Sequence, residues 1–511
     1  MKKFRILAMI LAVTFVLAGC GGNKGAQNGG NDEKMVFTMT SMATDEDAAK
    51  SASYQVLKDK FNVDFDLYYY TQSDFQEKTR IWMASGDIPD IMQTKIVNNN
   101  YNEYLTWVEE GLVREIPDLT PYPNLKKLAD NCPTDRFFNS NGRYAWLSYN
   151  PDTVTSVSGY GWFYRYDLVK ELGLAHDNHE YTWEEYLEIL RALKEKYSDN
   201  KEFVPLTMDS YLYPYGTGIM MYSPYWETYV LRDGEYKWGF DLPETTEGME
   251  FARMLHREGL IPQDIAVYKS SEGTNKFKVG NAGLLFNAIG ISECKDIYNT
   301  FGEVFPDKDP YEAIKVMKVF GPDGKMWGQG GGGTNNIVTL FNPELTDEEM
   351  HRILSVMDYI ASEEYGKIHI YGVEGKDYTM KDGEMVYKNA DKSIDGGNPL
   401  LVFDMVRTRS MPEDLKRANY GSRNVDICNE YSEFLQAQDQ SNFRVYNYDT
   451  YYFTGENYLK YGSFFFDGSE GVKRIIVGNG DVADEWAKAK APLRDRVNLV
   501  LDELNTQLLN K

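Results

Sequence analysis

What most constrains this chain is an alternation of short β-rich runs with helical sequence. "MVFTMT" (Met35–Thr40) reads as a strand, helix-like sequence follows to Phe61, and "VDFDLYYY" (Val63–Tyr70) is a second β-rich run. Asp74 opens the next helix through a capping box, Asp74-x-x-Glu77, in which each side chain meets the other residue's backbone N–H. That helix carries Phe75, Ile81 and Trp82 and stops at Gly86, before a third short strand, "IPDIM" (Ile88–Met92). Strand–helix–strand–helix–strand at this spacing predicts a parallel, doubly wound α/β sheet, with right-handed crossovers close to obligatory.

A second unit begins near Tyr149–Gly161. Thr182-x-x-Glu185 is another capping box, and Trp183, Tyr186, Leu187, Leu190, Leu193 and Tyr197 form the apolar face of its helix. Thr346-x-x-Glu349 opens a helix with Ile353, Leu354, Met357 and Ile360 inward, ending by Gly366. A final helix is expected over roughly Asp481–Leu509, from Val497, Leu501, Leu504 and Leu508 at helical spacing. No internal repeat is visible.

Ahead of the first strand, Lys2, Lys3 and Arg5 precede an apolar run, Ile6–Leu17. A dozen residues are too few to span a hydrocarbon core of about 30 Å, and the pattern is that of a secretory signal. The boundary Leu17-Ala18-Gly19-Cys20 resembles the lipobox of bacterial lipoproteins, which implies cleavage after residue 19 and acylation of Cys20. A single acyl chain anchors only marginally, whereas a diacylglyceryl group tethers stably. Residues 20–34, rich in Gly and Asn, read as a flexible tether, because such sequence buries too little to fold.

No later segment offers eighteen consecutive apolar residues. Removing Lys2, Lys3 and Arg5 from the 54 basic residues leaves 51 against 78 acids, a net charge near −27. That balance argues against nucleic acid or anionic lipid as partners. Beyond Cys20 only Cys132, Cys294 and Cys428 remain, which permits at most one disulfide. Aromatic residues make up 14%, more than a core alone requires, so some are candidates for binding.

An ordered series of segments resembles the extracellular solute-binding lipoproteins of carbohydrate ABC importers (family 1 type), the branch that includes maltose- and alginate-binding proteins. "ASGDIPDIM" (Ala84–Met92), "EEGLVREIPDL" (Glu109–Leu119), "NGRYAWL" (Asn141–Leu147), "WFYRYDLVKELGL" (Trp162–Leu174), "TWEEYLEILRALKE" (Thr182–Glu195), "KFKVGNAGLLFNAIG" (Lys276–Gly290) and "YGVEGKDYTM" (Tyr371–Met380) carry it, each weak alone. The resemblance implies a two-lobed, type II periplasmic-binding-protein-like α/β fold, with an interdomain cleft and several hinge crossings. One lobe would comprise residues 35–150 plus about 312–378, and the other residues 151–311 plus about 379–511. Ligand would bind at strand ends. Relatives often carry a calcium loop after the "TWEEY" helix, but "YSDNKEFVPLT" (Tyr197–Thr207) lacks its Gly and enough oxygen ligands, so no calcium is expected.

A sugar presents C–H faces that aromatic rings cover and hydroxyls that polar groups bind. Trp82 and Trp183 lie on helix stripes and read as core. Trp162, Tyr164, Tyr215, Trp226 and Trp327 sit beside Gly, Pro or strand ends and are candidate ligand contacts. Tyr215 and Trp226 belong to "SYLYPYGTGIMMYSPYWETY" (Ser210–Tyr229), which reads equally as a packed loop. The resemblance adds Gln93, Lys95 and Asn287 at cleft positions. Arg165 is either a surface ion-pair partner or a bidentate ligand for an acidic sugar.

Catalytic signatures are sparse. His176 and His179, in a polar linker, read as an exposed pair rather than metal ligands. Neither HExxH nor GxSxG occurs. "GQGGGGTNN" (Gly328–Asn336) is followed by β-like sequence instead of the helix a dinucleotide site needs. The expected function is therefore capture of an oligosaccharide or related sugar between two lobes and delivery to an ABC permease. The chain would be a lipid-anchored monomer on the outer face of a Gram-positive cell membrane, with no catalytic residue, metal or cofactor. A tethered glycan-binding adhesin and a glycoside hydrolase are the alternatives, since carboxylate pairs are abundant among 78 acids.

Overall fold

The computed structural model describes residues 33–41, 50–70, 75–95, 101–147, 159–209, 212–226, 228–268, 271–326, 337–381, 384–389, 412–439, 443, 447–461 and 468–509. Cys20 and its tether, Asp74, Trp327 and the Gly328–Asn336 run lie outside them.

Fourteen strands occur among the described residues: β1 (Met35–Ser41), β2 (Val63–Tyr69), β3 (Ile91–Lys95), β4 (Trp146–Leu147), β5 (Tyr160–Arg165), β6 (Glu180–Tyr181), β7 (Val204–Met208), β8 (Tyr229–Arg232), β9 (Glu235–Trp238), β10 (Ala282–Ala288), β11 (Ile314–Val319), β12 (Ile337–Phe341), β13 (Tyr378–Lys381) and β14 (Glu384–Tyr387). Ten of them build two five-stranded sheets, ordered β2-β1-β3-β12-β4 and β6-β11-β5-β10-β7; the others form two hairpins. The predicted parallel start is present. β1 pairs with β2 over seven residues and touches β3 at Met39–Ile91, both in parallel. β12 returns antiparallel to β3 and carries β4 at the edge. In the second sheet β5 runs antiparallel to both β10 and β11.

Each sheet carries buried apolar side chains on both faces. In the first sheet Ile91, Phe341 and Trp146 face one core, while Met92, Val338, Leu340 and Leu147 face another. In the second, Trp162, Tyr164, Leu284 and Phe286 face the larger core and Phe163, Leu285 and Val316 the smaller. Two lobes follow, as the fold resemblance implies.

Local signals hold where their mechanism is complete. Thr182 and Glu185 cap the helix Trp183–Lys196 reciprocally, as Thr346 and Glu349 cap Asp347–Ile360. Trp183 is buried and stacked on Tyr186, and Trp82 is half-buried against the first-lobe core. Three expectations shift. The third strand starts at Ile91 rather than Ile88, because Pro89 has no N–H to donate and Asp90 turns its carboxylate onto the Thr38 backbone N–H, 2.8 Å away. The C-terminal helix is broken at Pro492 into Val482–Lys490 and Arg494–Glu503. β11 lies wholly in the second sheet, so the first lobe does not resume as early as residue 312.

Candidate functional site

The ends of the strands define the site. β1, β2 and β3 all terminate at one edge of the first sheet, beside the start of β12 and the end of β4. β7, β10 and β11 terminate at the corresponding edge of the second sheet, where β5 begins. The chain passes from Leu147 at the first edge to Tyr160 at the second, and from Val319 back to Ile337. A further passage lies near the C-terminus. Tyr452 packs with Tyr101 and Phe138 of the first lobe, whereas its neighbour Phe453 packs in the second-lobe core. Arg136 reinforces this strap through an exposed ion pair with Asp449 at 2.9 Å. Two strand-end edges are thus linked by repeated crossings.

On the first lobe, Gln93 sits near the end of β3, buried to 2% exposure. Its backbone is held by Thr40, which accepts from the Gln93 N–H at 2.7 Å, and by the Tyr70 hydroxyl, which donates to its carbonyl at 2.7 Å. These bonds replace the sparse β1–β3 ladder and fix where the strand ends. Lys95 closes β3 opposite Ile337.

On the second lobe, Asn287 near the end of β10 donates to Thr274 Oγ1 at 3.1 Å. Asp209, just past β7, accepts from the Thr274 N–H at 2.9 Å and its hydroxyl at 2.8 Å. The carboxylate thus caps the first turn of the helix Glu272–Lys278. Sequence reasoning found Asn287 but missed Asp209 and Thr274, because their link is set by packing rather than spacing. Tyr160, also missed, lies half-buried at the start of β5, stacked on Phe286 with ring centres 5.9 Å apart. Tyr215 is half-buried with its ring edge-on to Trp226 at 6.0 Å.

Four further candidates are buried within the second lobe. Trp162 and Tyr164 project from the central strand β5 into the larger core, and the Tyr164 hydroxyl bonds His179 Nδ1 at 2.8 Å. Trp226 packs against Phe240, 2% exposed. Arg165 is 4% exposed and makes a bidentate pair with Asp167 at 2.8 and 2.7 Å, its guanidinium over the Phe301 ring. The structure places Arg165 neither at the surface nor open to a ligand carboxylate: its fork is filled. Burial alone would raise the Asp167 carboxyl, but the hydrogen bonds from Arg165 and Lys308 outweigh it and hold the group below its ordinary range. The histidine pair is only partly exposed: His176, its side chain 42% exposed, stacks on Tyr181, and His179 is half-buried.

Across residues 43–365, more than half of the chain, the sequence matches the family model described as bacterial extracellular solute-binding protein. The chain belongs to this family. Among curated members, this solute-binding protein is 22% identical over 436 residues to the polygalacturonan/rhamnogalacturonan-binding protein YtcQ of Bacillus subtilis (strain 168), covering 82% of this chain and 84% of YtcQ. It is 23% identical to the fructooligosaccharide ABC transporter substrate-binding protein FusA of Streptococcus pneumoniae serotype 4, covering 96% and 95% of the two chains. In fold it is similar to the crystal structure of the alginate-binding protein AlgQ2 without calcium ion, with a TM-score of 0.69 at 18% identity, over 94% of this chain and 99% of that one.

Proposed function

We propose that this solute-binding protein captures an oligosaccharide between its lobes and presents it to an ABC permease, the closed form being the one recognised. The observation that carries the reading is that two sheets with separate cores each gather their strand ends at one edge, with at least three chain passages running between the lobes. Such an arrangement lets two rigid lobes close on a ligand through a few connecting residues. Relatives named for polygalacturonan and fructooligosaccharide binding, at nearly full length, support sugar as the ligand class.

We keep Tyr160 and Tyr215, both half-buried, as candidates for sugar faces and the strand-end residues Gln93, Lys95 and Asn287 for hydroxyls, Gln93 and Asn287 being buried; Trp327 lies outside the described residues and is kept from the sequence alone. The interior pairing of Arg165 removes the reason to favour an acidic sugar on its account. Among the described residues no helix is long and apolar enough to cross a membrane. Attachment is assigned to acylated Cys20, which holds a monomeric chain on the outer membrane face of a Gram-positive cell. Cys20→Ala should release the protein into the medium; tight membrane association persisting in that variant overturns the anchor.

The deciding experiment measures the melting temperature against neutral and uronic oligosaccharides, amino acids and peptides. A ligand bound only by the native state adds RT ln(1 + [L]/Kd), about 2.7 kcal/mol at a hundredfold excess over Kd. A sugar that raises the melting temperature and is recovered intact is the expected result. Recovery of shortened sugar moves the chain to the glycoside hydrolases, and stabilisation by peptides alone overturns the sugar class.

A further inference from the structure

Cys294 and Cys428 are 134 residues apart in sequence, yet their sulfurs lie 3.5 Å apart. Cys294 is fully buried on the helix Ile291–Val304, and Cys428 is half-buried on Ser422–Gln436. We propose that these two cysteines form a disulfide once the chain is exported, clamping the helix Ser422–Gln436 onto the second lobe beside the cleft edge.

Three observations carry this. A disulfide needs sulfurs about 2.0 Å apart, so closing the bond asks for an approach of about 1.5 Å, within reach of side-chain rotation on two packed helices. The family is extracellular, where disulfides persist. The clamped helix also has a place at the site. Tyr431, one turn beyond Cys428, donates its hydroxyl to the Tyr160 carbonyl at 3.0 Å, where β5 begins. A Cβ on Gly161 would lie 2.7 Å from that hydroxyl, so the helix face and the strand backbone meet without a gap. A cavity of about 310 Å³ lined by Tyr298, Ile427 and Tyr431, among others, brings solvent to the residues flanking the pair.

A small disulfide such as oxidised glutathione supplies the oxidant. The Cys428 thiolate attacks it and releases one reduced glutathione. Cys294 then gives up its proton and displaces the second, so two thiols become one disulfide and both electrons leave on glutathione. The hydrogen bond to Cys428 and burial push the Cys294 thiol up, which suits the resolving sulfur rather than the attacking one. Cys132, beside Thr134 in the first lobe, has no part in the exchange.

The test uses the full chain carrying Cys20→Ser, equilibrated in oxidised/reduced glutathione, then denatured in excess maleimide and weighed. One adduct is expected after oxidising buffer and three after reduction, with a peptide map joining 294 to 428. The oxidised form should melt about 4 °C higher, a gap that Cys428→Ser abolishes. Three adducts throughout, a bridge that includes Cys132, or a melting temperature indifferent to reduction overturns the proposal.

Discussion

Trp226 shows how one residue can read correctly in chemistry and wrongly in place. A Trp among Pro and Tyr suits a sugar platform, yet its ring is sealed between Phe240 and Tyr215. Trp226→Ala should therefore lower stability by about 3–5 kcal/mol, read from denaturant unfolding; a stable variant with weakened sugar binding would return Trp226 to the cleft. Arg165 teaches the same lesson, because the Asp two residues ahead that fills its fork is visible in sequence while the burial that makes the pair obligatory is not. His369 gives a prediction in pH. Burial pushes its imidazole down to about 4, and Nδ1 is buried without a hydrogen-bond partner. The folded chain thus binds fewer protons than the unfolded chain below the ordinary histidine value of about 6.5. Its contribution is complete above that value and is lost as pH falls toward 4, by up to about 3 kcal/mol. Wild type should lose melting temperature relative to His369→Gln as pH falls from about 6.5 toward 4, the variant lacking the titrating group; parallel curves would count against it.

At the scale of elements, signals with a self-contained mechanism were legible. Capping boxes at Thr182 and Thr346 need only four consecutive residues, and both formed. The alternation from Met35 to Met92 placed three parallel strands for the same reason. What escaped was capping from a distance. Asp209, 65 residues before Thr274, caps the helix Glu272–Lys278 and connects it to Asn287. Gly273 lets this happen, since a Cβ there would fall 2.1 Å from the Met208 carbonyl oxygen. Asp209→Ala leaves the buried Thr274 N–H and hydroxyl proton without an acceptor and should cost about 1–3 kcal/mol. Hydrogen exchange should rise in the helix Glu272–Lys278; protection equal to wild type would show that the carboxylate does not hold it. Pro492 lies inside the predicted C-terminal helix, and its missing N–H ends the regular segment Val482–Lys490 ahead of it.

For the whole molecule, the behaviour that matters is relative motion of two lobes with separate cores. Small-angle scattering should show contraction when a stabilising sugar is added, since closure about the crossings brings the strand-end edges together. An unchanged radius of gyration at saturation would rule out closure as the mechanism. Sequence by itself determined the fold class and the absence of recognised catalytic motifs, and it carries the expectation that residues 1–34 export and tether the chain, because periodicity, short apolar leaders and motifs are written locally. Only the tertiary structure decided which rings are core and which stand at an edge, that β11 belongs with β5, that Tyr452 straps one lobe to the other, and that Cys294 meets Cys428. Those outcomes depend on which surfaces meet after the chain has folded back over hundreds of residues, and residue spacing carries no record of that meeting.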